Sequence, residues 1–266
     1  SFLDVQPKTL VKVAVMDTGV YTRHPDLSGN IRSSVSVAGN ISDTSDPNGH
    51  GTHVAGIIGA LNNNIGIVGV MPRVSIYSVK VFDANGQGSL SDIIQGLQYC
   101  INSGLKLVNM SFGSSEENNS FRQTFINAEK AGIIMVAAAG NDRYQHKIQY
   151  PAKYSETIAV SALGASGNIA SFSSYGPEVD VIAPGENINS TWKDGLYKQE
   201  SGTSMATPFV TGAIAQMIAK WGQMTPAQAK DHLKRTARRL PLPSVYQGAG
   251  LVDLQKILNT KPAHLP

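Results

Sequence analysis

Ile133-Ile-Met-Val-Ala-Ala-Ala139 is an unbroken apolar run closed by Gly140-Asn141. A run this short and uniform offers water no polar face, so it reads as a strand covered on both sides, as strands of a parallel sheet are. Working outward from it, Phe121, Phe125 and Ala128 mark a helix face stopped by Gly132, and Thr157 to Leu163 reads as the next strand. Val11 to Asp17, Leu105 to Met110 and Val179 to Ala183 read as further strands. Val54, Ile57, Ile58 and Leu61 fall at the spacing of one helix face, as do Leu90, Ile93, Ile94 and Leu97 after a Ser89-x-x-Asp92 capping signal. Val210, Ile214, Met217 and Ile218 mark a late helix, and Thr225-Pro226 opens another. Strands alternating with helices predict an α/β fold: a doubly wound, mostly parallel sheet with helices on both faces. With no repeat or linker in sight, residues 1–266 read as a single domain, with a short arm at 1–10 and a flexible tail at 259–266.

Composition narrows the function classes. The chain of 266 residues is 41% hydrophobic and 15% charged, with a net charge of +3. That composition suits a globular core and not a disordered chain. The longest small and apolar stretch, 131–140, is half the roughly 20 residues a membrane helix needs. No strong basic run points to nucleic acid. Cys100 is the single cysteine, which leaves no internal disulfide and no cysteine-based zinc site.

Open parallel sheets place their sites beyond the carboxyl ends of the strands. Asp17 stands at such an end, followed by Thr18-Gly19; by itself it reads as a turn residue. His50-Gly-Thr-His53 precedes an apolar helix, without the Glu and the i, i+4 spacing of a helical zinc site. One imidazole is thus offered at a helix start, and His53 reads as packed behind it. Ser204, in Gly202-Thr-Ser-Met-Ala-Thr-Pro208, reads either as an N-cap or as a nucleophile at a helix N-terminus, where free N–H groups favour a developing negative charge. Asn141 reads as a turn residue or as an amide aimed at an oxyanion.

Together these residues give the chain order Asp, His, Ser, with an Asn between the last two. VAVMDTGV (13–20), NGHGTHVAGII (48–58), NMSFG (109–113), VAAAGN (136–141) and ESGTSMATPFVTGA (200–213) resemble the signature blocks of subtilisin-like serine proteases, the subtilases. The likeness runs from about Val11 to about Leu254.

That resemblance implies a serine endopeptidase. His50 would act as base toward Ser204, Asp17 would orient His50, and the Asn141 amide with the Ser204 N–H would hold the oxyanion. It implies an extended peptide bound between Gly86-Gln87-Gly88 and Ser111-Phe112-Gly113, with Leu90, Ile93 and Phe112 lining an apolar pocket. Gln149 takes the place of a residue, commonly Gly, at the floor of the primary specificity pocket, so a bulky aromatic side chain before the cut is expected to fit less well. The resemblance further implies a structural calcium held by Asp26, Leu61, Asn63, Ile65 and Ile67. The arm before the first strand is short, and Gln6 is its only candidate for completing that shell. A secreted monomer acting on polypeptides, with an inhibitory prodomain removed, completes the expectation, with an intracellular form as the alternative. Two other classes stay open: a peptide-binding pseudoenzyme, which the full residue set opposes, and an esterase or acyltransferase, which the missing Gly-x-Ser-x-Gly elbow opposes.

Overall fold

The computed structural model describes residues 10–143 and 147–266. Its centre is a seven-stranded parallel sheet whose order across the sheet, in chain-order numbering, is second, third, first, fourth, fifth, sixth, seventh. The strands are β1 (Lys12–Asp17), β2 (Ile31–Ser36), β3 (Ser75–Lys80), β4 (Leu107–Met110), β5 (Ile134–Ala138), β6 (Thr157–Leu163) and β7 (Val181–Pro184). Strand residues alternate between two cores, because successive side chains point to opposite faces. Val13 and Val15 of β1 and Ile134 and Val136 of β5 pack on one side, against α1 (His50–Gly59) and α4 (Thr203–Trp221). Ala14, Met16, Met135 and Ala137 pack on the other, against α2 (Leu90–Asn102) and α3 (Asn119–Lys130). This is the doubly wound arrangement expected, and all of β5 is buried.

The winding reverses beside β1. The chain runs outward from β1 to β2, returns through β3, then crosses to β4 on the other side. The crevice beyond the carboxyl ends of β1 and β4 is therefore the topological switch point, where sheets of this kind bind ligands. Asp17 ends β1, Ser111 follows β4, and Asn141 stands three residues past β5.

Local signals hold where they rest on capping chemistry. Ser89 and Asp92 form a reciprocal capping box on α2. Thr225 and Gln228 form another on α5 (Pro226–Thr236). Leu61 is a correction: α1 stops at Gly59, Ala60 is extended at ψ 142°, and the Leu61 N–H donates to Asp26 O at 2.8 Å, so Leu61 lies in the following loop and not on the helix face. A side chain on Gly59 would overlap Val74, which is why α1 can lie so close to the sheet there.

A hairpin of β8 (Ile188–Thr191) and β9 (Tyr197–Glu200) leads into α4 and packs on α1. His53 pins it there. Its Nε2–H is shared between Ile188 O at 3.0 Å and Lys198 O at 2.9 Å. Burial outweighs those two carbonyls and lowers its pKa, so His53 is a neutral structural residue, as its place behind His50 suggested. The chain closes with α6 (Ser244–Gln247) and α7 (Leu254–Asn259), and Pro262 in the tail is buried. Among the described residues no helix is long and apolar enough to cross a membrane.

Candidate active site

The carboxylate at the end of β1 meets the imidazole at the start of α1. Asp17 is 1% exposed; its Oδ1 accepts the Thr18 N–H and the His50 Nδ1–H, each at 2.7 Å. A carboxylate oxygen can only accept, so Nδ1 carries the proton and neutral His50 presents Nε2 as a base. Gly51 permits the close approach: a methyl group there would overlap Gly19 O and stand 3.2 Å from Asp17 Cβ. Gly49, at φ 102°, caps α1 in a left-handed conformation and has the Trp192 ring where a side chain would go. Burial alone would lower the His50 pKa. The Asp17 charge and hydrogen bond, with the more distant Asp46 and Glu200 carboxylates, reverse this and set it above the ordinary value of 6.5.

The hydroxyl that completes the set stands at the N-terminus of α4. The N-cap is Gly202 and not Ser204, which is the second residue of the helix. Ser204 Oγ–H donates to Ser111 O at 2.9 Å. Pro208 lies inside α4 and brings no N–H to the carbonyl of Ser204 four residues earlier. Ser111 Oγ–H fills the gap, donating to Ser204 O at 2.8 Å, and itself accepts from Asn109 Nδ2 at 2.9 Å. Thr211 Oγ1 holds Asn109 in turn, at 2.7 Å. The helix that carries Ser204 is thus tied to the end of β4 by a buried polar chain.

Asn141 is oriented by its oxygen. Oδ1 accepts the Thr203 N–H at 2.9 Å and the Thr203 hydroxyl at 3.0 Å. A backbone N–H only donates, so the amide oxygen must face α4 and Nδ2 must face away from it. Among the described residues neither Asn141 Nδ2 nor the Ser204 N–H makes a hydrogen bond. A methyl group on Gly202 would lie 3.6 Å from both, so that glycine keeps their shared neighbourhood open.

A cleft of about 740 Å³ runs past this centre. Its lining includes Asp17, His50 and Asn141, and the residues expected to bind substrate: Gly86, Gln87, Gly88, Leu90, Ile93, Ser111, Phe112, Gly113 and Gln149. Ser204 is not part of that lining, but the Ser111 carbonyl that holds its hydroxyl belongs to a lining residue. Phe112 packs edge-on to Phe82 at 5.0 Å, with Leu90 beside them partly exposed. Ile93 is only 5% exposed and serves mainly as core. Gln149 lies across the backbones of Gly113 and Gly140, and its Nε2 donates to Asp142 Oδ2 at 3.1 Å.

Comparison with known proteins agrees with this geometry. The model of the subtilase family matches residues 8–251. The chain belongs to the subtilase family. It is 46% identical to Subtilisin Savinase of Lederbergia lenta, over 92% of this chain and 89% of that protein. It is 45% identical to a thermostable alkaline protease of Halalkalibacterium halodurans and 46% identical to an alkaline protease of Alkalihalobacillus alcalophilus. Those matches cover 91% and 92% of this chain, but only 65% and 63% of the two relatives.

In this subtilase the loop expected to hold calcium folds over Asp26. Asp26 is fully buried, and its Oδ2 accepts the Ile67 N–H at 3.0 Å and the Tyr197 hydroxyl at 3.2 Å. Its Oδ1 is buried with no partner among the described residues. Asn63 Oδ1 accepts the Ile65 N–H at 3.2 Å. Among the described residues the carbonyls of Leu61, Ile65 and Ile67 accept no backbone hydrogen bond. An orphaned buried carboxylate oxygen and carbonyls left free in the loop it anchors are the donor types a hard cation takes. Gln6 lies outside the described residues. Among those described, no three His, Cys, Asp or Glu side chains converge on a metal position, so any ion here would have Asp26 as its carboxylate and otherwise depend on carbonyl and amide oxygens. Cys100 is buried, which pushes its thiol pKa up to about 12 and leaves it inert.

Proposed function

We propose that this subtilase is a serine endopeptidase that works through Asp17, His50, Ser204 and an Asn141 oxyanion donor. One observation carries the reading: Asn141 spends its oxygen on Thr203, leaving its N–H₂ beside an unbonded Ser204 N–H at a helix N-terminus. Two donors in a water-facing crevice suit a charge that appears only during reaction. His50 Nε2 takes the Ser204 proton as Oγ attacks the scissile carbonyl. The carbonyl oxygen becomes negative between Asn141 Nδ2 and the Ser204 N–H. His50 returns the proton to the leaving amine, and water repeats the sequence to free the acid. Asp17 holds the tautomer and offsets the imidazolium charge. The substrate lies extended between the backbones of Gly86–Gly88 and Ser111–Gly113, as an added strand. We read the protein as one peptidase domain, a monomer made with an inhibitory prodomain and secreted; kinship with the subtilases supports this.

The test is stoichiometric labelling with a serine-directed fluorophosphonate, alongside hydrolysis of a denatured protein. One phosphonyl group on Ser204 and peptide cleavage at neutral to alkaline pH are expected. A protein that hydrolyses only activated esters would instead be an esterase. One that takes up no label would be a peptide-binding relative.

Gln149 sets the residue preferred before the cut. Wedged over Gly113 and Gly140, it occupies volume that a large ring would need, and it adds a polar group. Gln149→Gly is expected to raise kcat/KM for Phe relative to Gln or Ala at that position by about tenfold. Peptides differing only there decide the matter. A wild type that already favours Phe and Tyr, with the order unmoved by the substitution, removes Gln149 from this role.

We also infer a structural calcium at Asp26, Leu61, Asn63, Ile65 and Ile67. When bound it would screen the buried Asp26 charge and hold the loop closed. None of these residues lines the cleft. Chelation is therefore expected to speed thermal inactivation with kcat unchanged, and Asn63→Ala to inactivate faster while losing sensitivity to chelator. Equal inactivation half-lives with and without chelator would deny the site.

A further inference from the structure

We propose that Asp46 is a positioning residue for the hydrolytic centre: a buried carboxylate that ties the exit of β1 to the first turn of α1 and so fixes the Asp17–His50 bond. The inference rests on the serine-peptidase reading above. Asp46 is 2% exposed and comes from the loop between β2 and α1, adjacent in sequence to neither Asp17 nor His50. Its Oδ1 accepts the Thr18 hydroxyl at 2.8 Å and the Gly49 N–H at 2.8 Å. Its Oδ2 accepts the Thr52 N–H at 2.9 Å and the Thr52 hydroxyl at 2.6 Å. Each hydroxyl, having donated to Asp46, accepts a backbone N–H from the opposite segment. Thr18 Oγ1 takes Gly51 N at 2.9 Å, and Thr52 Oγ1 takes Tyr21 N at 2.9 Å. One carboxylate thereby accepts four bonds, from residues before and after His50, and orients two hydroxyls that each cross between the segment after Asp17 and the helix that carries His50.

A carboxylate is needed here for a chemical reason. Each oxygen of Asp46 faces one backbone N–H, which can only donate. The amide of Asn would place its own N–H₂ against Gly49 N–H in one orientation and against Thr52 N–H in the other. The paired hydroxyl would have to turn its lone pair to the amide and lose its own acceptor. Burying such a mismatch disturbs geometry rather than contact area.

The charged surroundings are few. His50 feels Asp17, Asp46 and Glu200, and Glu200 is paired to Lys198 at 2.5 Å. Lys80 and Lys193 donate to loop carbonyls, Ser45 O and Pro47 O, both at 2.7 Å, and the Lys80 charge also acts on Asp43 in that loop.

Asp46→Asn is expected to lower kcat about 10- to 100-fold with KM nearly constant, the scale of a small misplacement of a catalytic group. Removing the charge should also move the His50 midpoint in kcat/KM toward acid. Should that variant not fold, Thr18→Val and Thr18→Ser decide: Val removes the crossing bond and should lose kcat, whereas Ser keeps the hydroxyl and should lose much less. An unchanged kcat and midpoint in Asp46→Asn, or equal losses in the two Thr18 variants, overturns the assignment. A fall in melting temperature with KM and kcat moving together and a fixed midpoint reduces Asp46 to a structural residue, which also overturns it. A wild type that neither labels nor cleaves peptides defeats the peptidase reading instead.

Discussion

Ser204→Ala is expected to lower turnover by about 10⁶-fold, the order known for a subtilisin that loses its nucleophile. Nothing else in the site can replace the group. The neighbouring hydroxyls are committed: Thr203 Oγ1 is bonded to Asn141 Oδ1 and Ser111 Oγ to Ser204 O. Folding should be nearly indifferent. The lost hydroxyl makes one hydrogen bond, to Ser111 O, worth about 0.5–1.5 kcal/mol. Alanine returns part of that through its better helix propensity at the second position of α4. The variant should therefore keep its melting temperature within a few degrees and still bind peptide in the cleft, since losing one hydroxyl leaves the cleft lining at Gly86–Gly88 and Ser111–Gly113 in place. Residual turnover of even a tenth would mean that another group attacks the substrate. A melting temperature lower by tens of degrees would mean that the Ser111–Ser204 bonds carry the fold.

How far the residues announce this arrangement depends on what each stretch has to bury. The run from Ile133 to Ala139 is legible because β5 is covered on both faces, and only uniformly apolar side chains satisfy that. The Ser89–Asp92 and Thr225–Gln228 boxes are legible because capping is local. By contrast β2 carries Arg32, Ser33 and Ser34 along the sheet's edge and shows no strand pattern. The β8–β9 hairpin is equally quiet. Ser190 and Thr191 are fully buried, yet they are polar, because they donate to the carbonyls of His53 and Thr52 in α1. Its one local sign is Asp194-Gly195, both at positive φ in the turn. Asp17, His50, Asn141 and Ser204 can be found because each stands where a strand ends or a helix begins. Asp46 cannot: in Ser42-Asp-Thr-Ser-Asp-Pro47 it looks like any acid of a polar loop, and its burial is decided by residues distant in sequence. Leu61 misleads for the opposite reason, since its helical spacing continues for a residue or two after the backbone has left the helix.

Asn141 supplies the second large effect, and two substitutions separate its two duties. Asn141→Ala removes the Nδ2 donor and also the Oδ1 acceptor that caps Thr203 N–H. Asn141→Asp keeps an acceptor for both Thr203 groups and removes only the donor. Both variants should lose about 10²–10³ in kcat with little change in KM, because the donor is used only once the oxyanion forms. Only the alanine variant should lose stability, by about 1 kcal/mol, since the aspartate still caps α4 and its charge suits a helix N-terminus. The comparison belongs well above the His50 midpoint. His50 must be neutral to act as base, and its pKa already lies above the ordinary value of 6.5, so activity rises with pH through that midpoint; a new carboxylate nearby would push it higher still. On the alkaline plateau that displacement no longer matters and the loss of the donor stands alone. Wild-type turnover in Asn141→Asp would remove the side chain from oxyanion binding and leave it as a cap alone. A loss in Asn141→Ala that greatly exceeds the loss in Asn141→Asp would show that the Thr203 cap, by holding the Ser204 N–H in place, is the greater part of what Asn141 contributes.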